Sequence, residues 1–210
     1  MGNQVEIICK NNGKTLLVDE GTALIDIYKT AGVELPYQVL CAQVNNRTRD
    51  LSYRVYQPKQ IMFSDASHIM GMRMYVRSLC FVLYKAVTEL FPGTRLRIEH
   101  SVSNGYFCCL NQREEIPHDT VELLKERMRD IIRRDLPFER IQSTAEVAAG
   151  HFREQDMCDK IDLIETLHPL YATYYKLGNL YDVYYEYLLP STGYLKVFDL
   201  IKYHDGMLLI

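Results

Sequence analysis

Few residues in this chain stand at spacings that do chemistry. The six histidines are His68, His100, His118, His151, His168 and His204, and no two are three or four apart, the separation that pairs imidazoles on a helix. His68 shares a helical stripe with Met72, Val76, Leu79 and Leu83. A histidine there serves either as a hydrogen-bonded core residue or as part of a pocket wall. Asp182 and Glu186, four apart in a strand-like stretch, share a face without a visible acid–base partner. No G-x-x-x-x-G-K-[ST] run occurs, so there is no phosphate-cradling loop. The cysteines Cys9, Cys41, Cys80, Cys108, Cys109 and Cys158 form no C-x-x-C pair. With no secretion signal at the N-terminus they read as reduced, mostly buried thiols of a cytoplasmic protein. Cys108 and Cys109, being adjacent, are expected on opposite faces of a strand. The spacing assigns no catalytic residue and no metal ligand.

Cations are the remaining chemical resource. The net charge of −3 gives no global basic field. Lys125 to Arg140 carries six Lys or Arg against four acids. Such a run is a solvated helix face or, with Arg95, Arg97 and the four-apart pair Arg73 and Arg77, a phosphate- or RNA-contacting surface. Nine of the sixteen tyrosines fall between Tyr171 and Tyr203, as half-buried antiparallel sheet or as base-stacking platforms.

These residues need elements to hold them. Val5, Ile7 and Cys9 alternate, Asn12-Gly13 makes a hairpin turn, and Thr15 to Val18 returns. A helix opens after Gly21-Thr22 and stops at Gly32, and a third strand covers Val39 to Val44. Tyr56-Gln57-Pro58 marks a break, so residues 1–57 read as a β-grasp domain and 58–210 as a second domain. A long helix spans Asp65 to Leu90, followed by strands at Arg95–Glu99 and Tyr106–Leu110 around Ser103-Asn104-Gly105. Capping-box spacing starts helices near Asp119 and Ser143. Strands then cover Tyr171–Leu177, Leu180–Leu189 and Tyr194–His204. The chain stops on Met207-Leu208-Leu209-Ile210, an apolar edge that implies truncation at the C-terminal end. No apolar run is long enough for a membrane helix.

Several ordered motifs resemble the N-terminal half of threonyl-tRNA synthetase. Val39 to Asn45 and Asp50-Leu51-Ser52-Tyr53 match the TGS domain, a ubiquitin-like β-grasp. His68, Phe91-Pro92-Gly93, Ser103 to Phe107, Leu136 to Arg140, Gly178 to Asp182 and Leu189 to Gly193 match the editing domain. The resemblance implies an α+β chain: a β-grasp followed by a threonyl/alanyl-tRNA synthetase editing-like domain with antiparallel sheet and a long central helix. That family's metal-ligand-like cluster of three histidines and a cysteine falls here on His68, Met72, Tyr184 and Leu188, so one of four remains. The implied cleft comprises these four with Asp182, Ser191 and Thr192.

An editing-like domain without its ligands also resembles the N-terminal region of a bacterial uridine-kinase-like family of nucleoside kinases. The closing stretch Val197 to Leu209 looks like the segment before their kinase domain. By that resemblance the chain is a non-catalytic accessory or recognition region, joined to a C-terminal kinase domain of the same polypeptide. It holds no cofactor itself, ATP and Mg being implied only for the parent kinase, and its ligand is a nucleoside, a nucleotide or tRNA. The alternatives are a stand-alone aminoacyl-tRNA deacylase and an RNA-binding or interaction module.

Overall fold

The computed structural model describes residues 3–103, 105–110 and 115–210. Asn104, central to one expected turn, lies outside them. Two compact units are formed: Met1–Arg77 with Tyr185–Pro190, and Ser78–Tyr184 with Ser191–Ile210.

In the first unit, β1 (Gln4–Cys9) and β2 (Thr15–Asp19) form the expected antiparallel hairpin. A short β3 (Thr22–Ala23) leads into α1 (Leu24–Ala31), which ends at Gly32 with φ 62°, the left-handed closing geometry glycine adopts without strain. β4 (Cys41–Val44) and β5 (Arg47–Arg49) pair across Asn45 and Asn46, both at positive φ as a two-residue hairpin requires. β6 (Arg54–Val55) pairs with β3. β7 (Lys59–Ser64) then inserts parallel to β1 and antiparallel to β4, giving the order β2-β1-β7-β4-β5. This is a β-grasp sheet. Its central strand lies beyond the break read after Gln57, because β7 has to cover the apolar edge that β1 and β4 would otherwise leave open. Val5, Ile7, Leu24, Ile27, Leu51, Ile61 and Phe63 are buried in the unit, with Tyr28 edge-on to Phe63 at 5.2 Å.

α2 runs Ile69–Leu90. It starts later than Asp65 because the Asp65 carboxylate instead accepts the N–H groups of Ser67 (2.9 Å) and Tyr37 (2.8 Å) and so holds the turn before the helix. Its stripe is solvated at first, with Ile69 and Met72 exposed, and turns into core at Leu79, Leu83 and Val87.

The second unit continues with β8 (Leu96–Val102), β9 (Gly105–Leu110) and α3 (His118–Arg133), whose Val121, Leu124, Met128 and Ile131 are all buried. β10 (Glu139–Thr144), α4 (Ala145–Glu154), α5 (Cys158–Leu167), β11 (Tyr171–Leu177) and β12 (Leu180–Asp182) follow. A 3₁₀ turn at Thr192–Tyr194 precedes β13 (Leu200–Tyr203) and β14 (Gly206–Leu209). The sheets are β10-β11-β12 and β13-β14-β9-β8. Phe152, Tyr174 and Ala148 form one core cluster, flanked by Ile141, Ile161 and Ile164.

Several expectations change here. Neither capping box forms: α3 starts from Pro117 and α4 from Thr144, each without a side-chain cap bond. The strand expected through Leu189 ends at Asp182, so Asp182 and Glu186 share no strand face. The strand expected from Tyr194 is a 3₁₀ turn and then β13. α5 was not anticipated. The terminal residues Met207, Leu208 and Leu209 are no bare apolar edge: β14 lies between β13 and β9 and is buried. Cys108 and Cys109 are both buried although adjacent, so both faces of β9 are covered there. Cys158 is exposed. Burial pushes the Cys41 thiol up to about 11 and that of Cys80 up to about 12, so both stay protonated and inert at neutral pH.

Candidate functional site

In the first unit, His68 precedes α2. Its Nδ1 accepts the Met70 N–H at 3.3 Å and its carbonyl accepts the Met72 N–H at 3.0 Å. The ring is half-buried, so it is neither a sealed core residue nor free in solvent. Met72, one turn on, is 46% exposed. Of the candidate cations, Arg73 is exposed, whereas Arg77 is turned inward and donates from Nη2 to the Tyr187 carbonyl at 3.2 Å.

Tyr187 belongs to a six-residue strap, Tyr185–Pro190, that completes this unit. Arg49 also grips the strap: its Nη1 donates to the Tyr187 hydroxyl at 2.9 Å, and its guanidinium lies 5.2 Å from the Tyr53 ring centre and 5.7 Å from that of Tyr187. Leu188, between these anchors and Pro190, is 1% exposed. Sequence reasoning did not single out Arg49. The nearest signal was its place just before the Asp50-Leu51-Ser52-Tyr53 run.

In the second unit, β12 brings Asp182 next to Tyr184. The Tyr184 hydroxyl donates to the Asp182 carboxylate, which also accepts the Val183 N–H at 2.7 Å and lies 3.8 Å from Lys160 Nζ. Burial raises the Asp182 carboxyl above its ordinary range, and Lys160 only partly offsets this. Burial, reinforced by the Asp182 charge, lifts the Tyr184 phenol well above the usual tyrosine value, so it remains a neutral donor. Its ring packs on Phe81 (5.2 Å between centres) and edge-on to Tyr175 (6.2 Å).

Thr192 and Ser191 act as fasteners. Thr192 is fully buried; its hydroxyl donates to the Ile131 carbonyl (3.0 Å) at the end of α3 and accepts the Leu136 N–H (2.9 Å). Ser191 bridges Pro137. Gly193 fits because a Cβ there would lie 2.3 Å from Asp135 Oδ1, the atom that accepts its N–H at 2.9 Å. Arg95 and Arg97 are exposed around the start of β8.

A buried charge network around Lys85 was not anticipated at all. Lys85, 2% exposed, pairs with Glu89 Oε1 at 2.9 Å and donates to Asn179 Oδ1 at 3.0 Å. Arg127 closes on Glu89 Oε2 from Nε and Nη2, both at 2.8 Å. Burial would raise the Glu89 carboxyl, but hydrogen bonds from Lys85 and Arg127 hold it below its ordinary value. The four-residue spacing of Lys85 and Glu89 is the sequence signal that marks it.

Chemically, Asp182–Tyr184 and His68 offer hydrogen bonds rather than a nucleophile. Among the described residues no group of three or more His, Cys, Asp or Glu could hold a metal ion. No helix of the described residues is long and apolar enough to cross a membrane.

No protein-family model matches the chain. It is 30% identical over 183 residues to the threonine–tRNA ligase of Desulforamulus reducens, covering 87% of this chain and 29% of that protein. The threonine–tRNA ligase of Rubrobacter xylanophilus is 29% identical over 189 residues (90% and 29%), and that of Carboxydothermus hydrogenoformans 26% over 184 (87% and 29%). The chain thus spans less than a third of the length of the curated relatives it matches. Its likeness is to part of threonine–tRNA ligases, and its β-grasp unit followed by an editing-like α+β unit accords with that.

Proposed function

We propose that this chain is a recognition module of the synthetase-editing type, which holds the end of a tRNA without hydrolysing an ester. One observation carries the reading: of the four positions that resemblance assigns to donors, three hold Met72, Tyr184 and Leu188 and His68 alone keeps its type. The Tyr184 hydroxyl is spent on Asp182, and Leu188 is buried. A thioether, a committed neutral phenol and an alkyl group neither bind zinc nor relay protons. Phosphate contacts fall to the exposed Arg73, Arg95 and Arg97, with Arg77 committed to the strap.

The test is paired. Fluorescence anisotropy with tRNA of threonine type is expected to show salt-sensitive binding, weakened in Arg95→Ala/Arg97→Ala. Deacylation of the same tRNA charged with serine is expected to match the uncatalysed rate, unchanged in His68→Ala. Turnover that disappears in His68→Ala overturns the non-hydrolytic reading, and no tRNA binding overturns the recognition reading.

A second reading attaches this region to a P-loop nucleoside kinase domain that supplies ATP and Mg chemistry. It rests on the run Val197 to Leu209 and its likeness to the segment before such domains. Reading the gene past the codon for Ile210 tests it. A Walker-type motif in the following hundred or so codons supports it, and an immediate stop removes it.

A further inference from the structure

β2 is an edge strand: among the described residues it pairs with β1 alone. The Glu20 N–H reaches the Asn3 carbonyl and the Cys9 N–H reaches the Lys14 carbonyl, so the even-numbered residues 14, 16, 18 and 20 hydrogen-bond toward β1. The N–H and C=O groups of Thr15 and Leu17 and the N–H of Asp19 therefore point outward, while the Asp19 carbonyl accepts the Thr22 hydroxyl at 2.6 Å and keeps one lone pair for a further donor. Within the strand there is no lysine, proline or bulge, its one charge, Asp19, stands at the end, and Leu17 at its centre is 65% exposed.

The strand is also self-complementary. Turned about a two-fold axis through Leu17, normal to the sheet, each residue meets the one whose number brings the sum to 34. Leu17 meets Leu17 and Thr15 meets Asp19, both in hydrogen-bonded positions that use the outward groups. Leu16 meets Val18, and Lys14 meets Glu20 in the closer, non-hydrogen-bonded spacing. Lys14 and Glu20 are exposed on the α1 face of the sheet, where a Cβ on Gly32 would lie 3.3 Å from Lys14 Nζ. A two-fold pairing therefore joins three apolar pairs (Leu17 with itself and Leu16 with Val18 twice), two hydroxyl–carboxylate pairs and two opposite-charge pairs. Shifting the centre to residue 18 sets Leu17 against Asp19 and loses this match.

We propose that β2 is a docking edge for the β2 strand of a second copy of this chain, forming a continuous ten-stranded antiparallel-centred sheet with Leu17 on the two-fold axis. The interface is small, so the association is weak and concentration-dependent.

Sedimentation equilibrium of the 210-residue chain, from about 5 μM to about 1 mM, is expected to show a reversible monomer–dimer equilibrium, with Leu17→Lys weakening it about tenfold or more. Lys14→Glu is expected to weaken it about fivefold, and Lys14→Glu/Glu20→Lys to restore it to within about twofold of wild type. Circular dichroism melts check that each variant is folded. A monomer throughout the range, a dimer indifferent to Leu17→Lys, or a folded charge-swap variant that fails to recover overturns the proposal.

Discussion

Replacing Thr192 by valine tests whether the Leu-Pro-Ser-Thr-Gly stretch is a fastener or a ligand contact. Valine keeps the shape of threonine and removes only the hydroxyl. That hydroxyl serves both the Ile131 carbonyl and the Leu136 N–H, and it lies at zero exposure where water cannot replace it. A buried group stripped of its partner costs about 1–2 kcal/mol, so the two together cost about 3 kcal/mol. Thr192→Ser keeps both bonds and deletes one methyl, costing about 1 kcal/mol. In a protein of this size the valine variant should melt about 6–12 °C below wild type and the serine variant about 2–4 °C below. Calorimetry reads the melting temperatures, and urea titration checks that the slope is unchanged, which localises the loss to the folded state. If valine melts with wild type, or serine costs more than valine, the hydroxyl fastens nothing and the stretch returns to the list of ligand-facing residues.

Glu89→Gln leaves Lys85 buried without its carboxylate and should cost about 2–3 kcal/mol at pH 7 by denaturant unfolding. Because the folded Glu89 carboxyl titrates below its ordinary value of about 4.3, its contribution is complete above that pH and lost as pH falls through the folded value. The Gln variant should accordingly lose stability less steeply below pH 4.3 than wild type, and an identical acid limb would refute the network's role. Gly193→Ala should cost about 1–2 kcal/mol by forcing Asp135 aside, and much less in an Asp135→Ala background; full additivity would rule out that contact. Arg49→Leu should loosen the strap and raise chymotryptic cleavage at exposed Tyr185 about fivefold, whereas an unchanged rate would mean Arg49 does not hold it.

The sequence displayed some of this plainly and hid the rest for physical reasons. The β1–β2 hairpin, α1 with its Gly32 stop and the long α2 rest on local periodicity and turn chemistry, which neighbouring residues alone determine. β7 has no such local mark of membership: its partner β1 lies about fifty residues earlier, and a parallel pairing leaves no turn between them. α5 is harder to read because its stripe, Ile161, Ile164 and Leu167, is only two turns long and none of its residues is fully buried. Both capping boxes had the right spacing, but Pro117 and Thr144 took the first positions. At the candidate site, resemblance pointed to His68, Met72, Tyr184 and Leu188. It could not show that Tyr184, two residues on from Asp182, folds back to donate to that carboxylate, because β12 ends between them, or that Thr192 faces α3, because that contact joins residues 61 apart.

The strap that closes the β-grasp unit has a bearing on how the protein is made. Arg77 and the Tyr187 carbonyl that it binds are 110 residues apart. At ordinary elongation rates of about 5–20 residues per second, the ribosome delivers the strap about 5–20 s after Arg77. During that interval the nascent β-grasp unit carries Arg49, Tyr53 and Arg77 without their finishing partner. The first unit to be synthesised is thus among the last to be completed, and a chaperone that waits on half-closed sheets has a window in which to meet it.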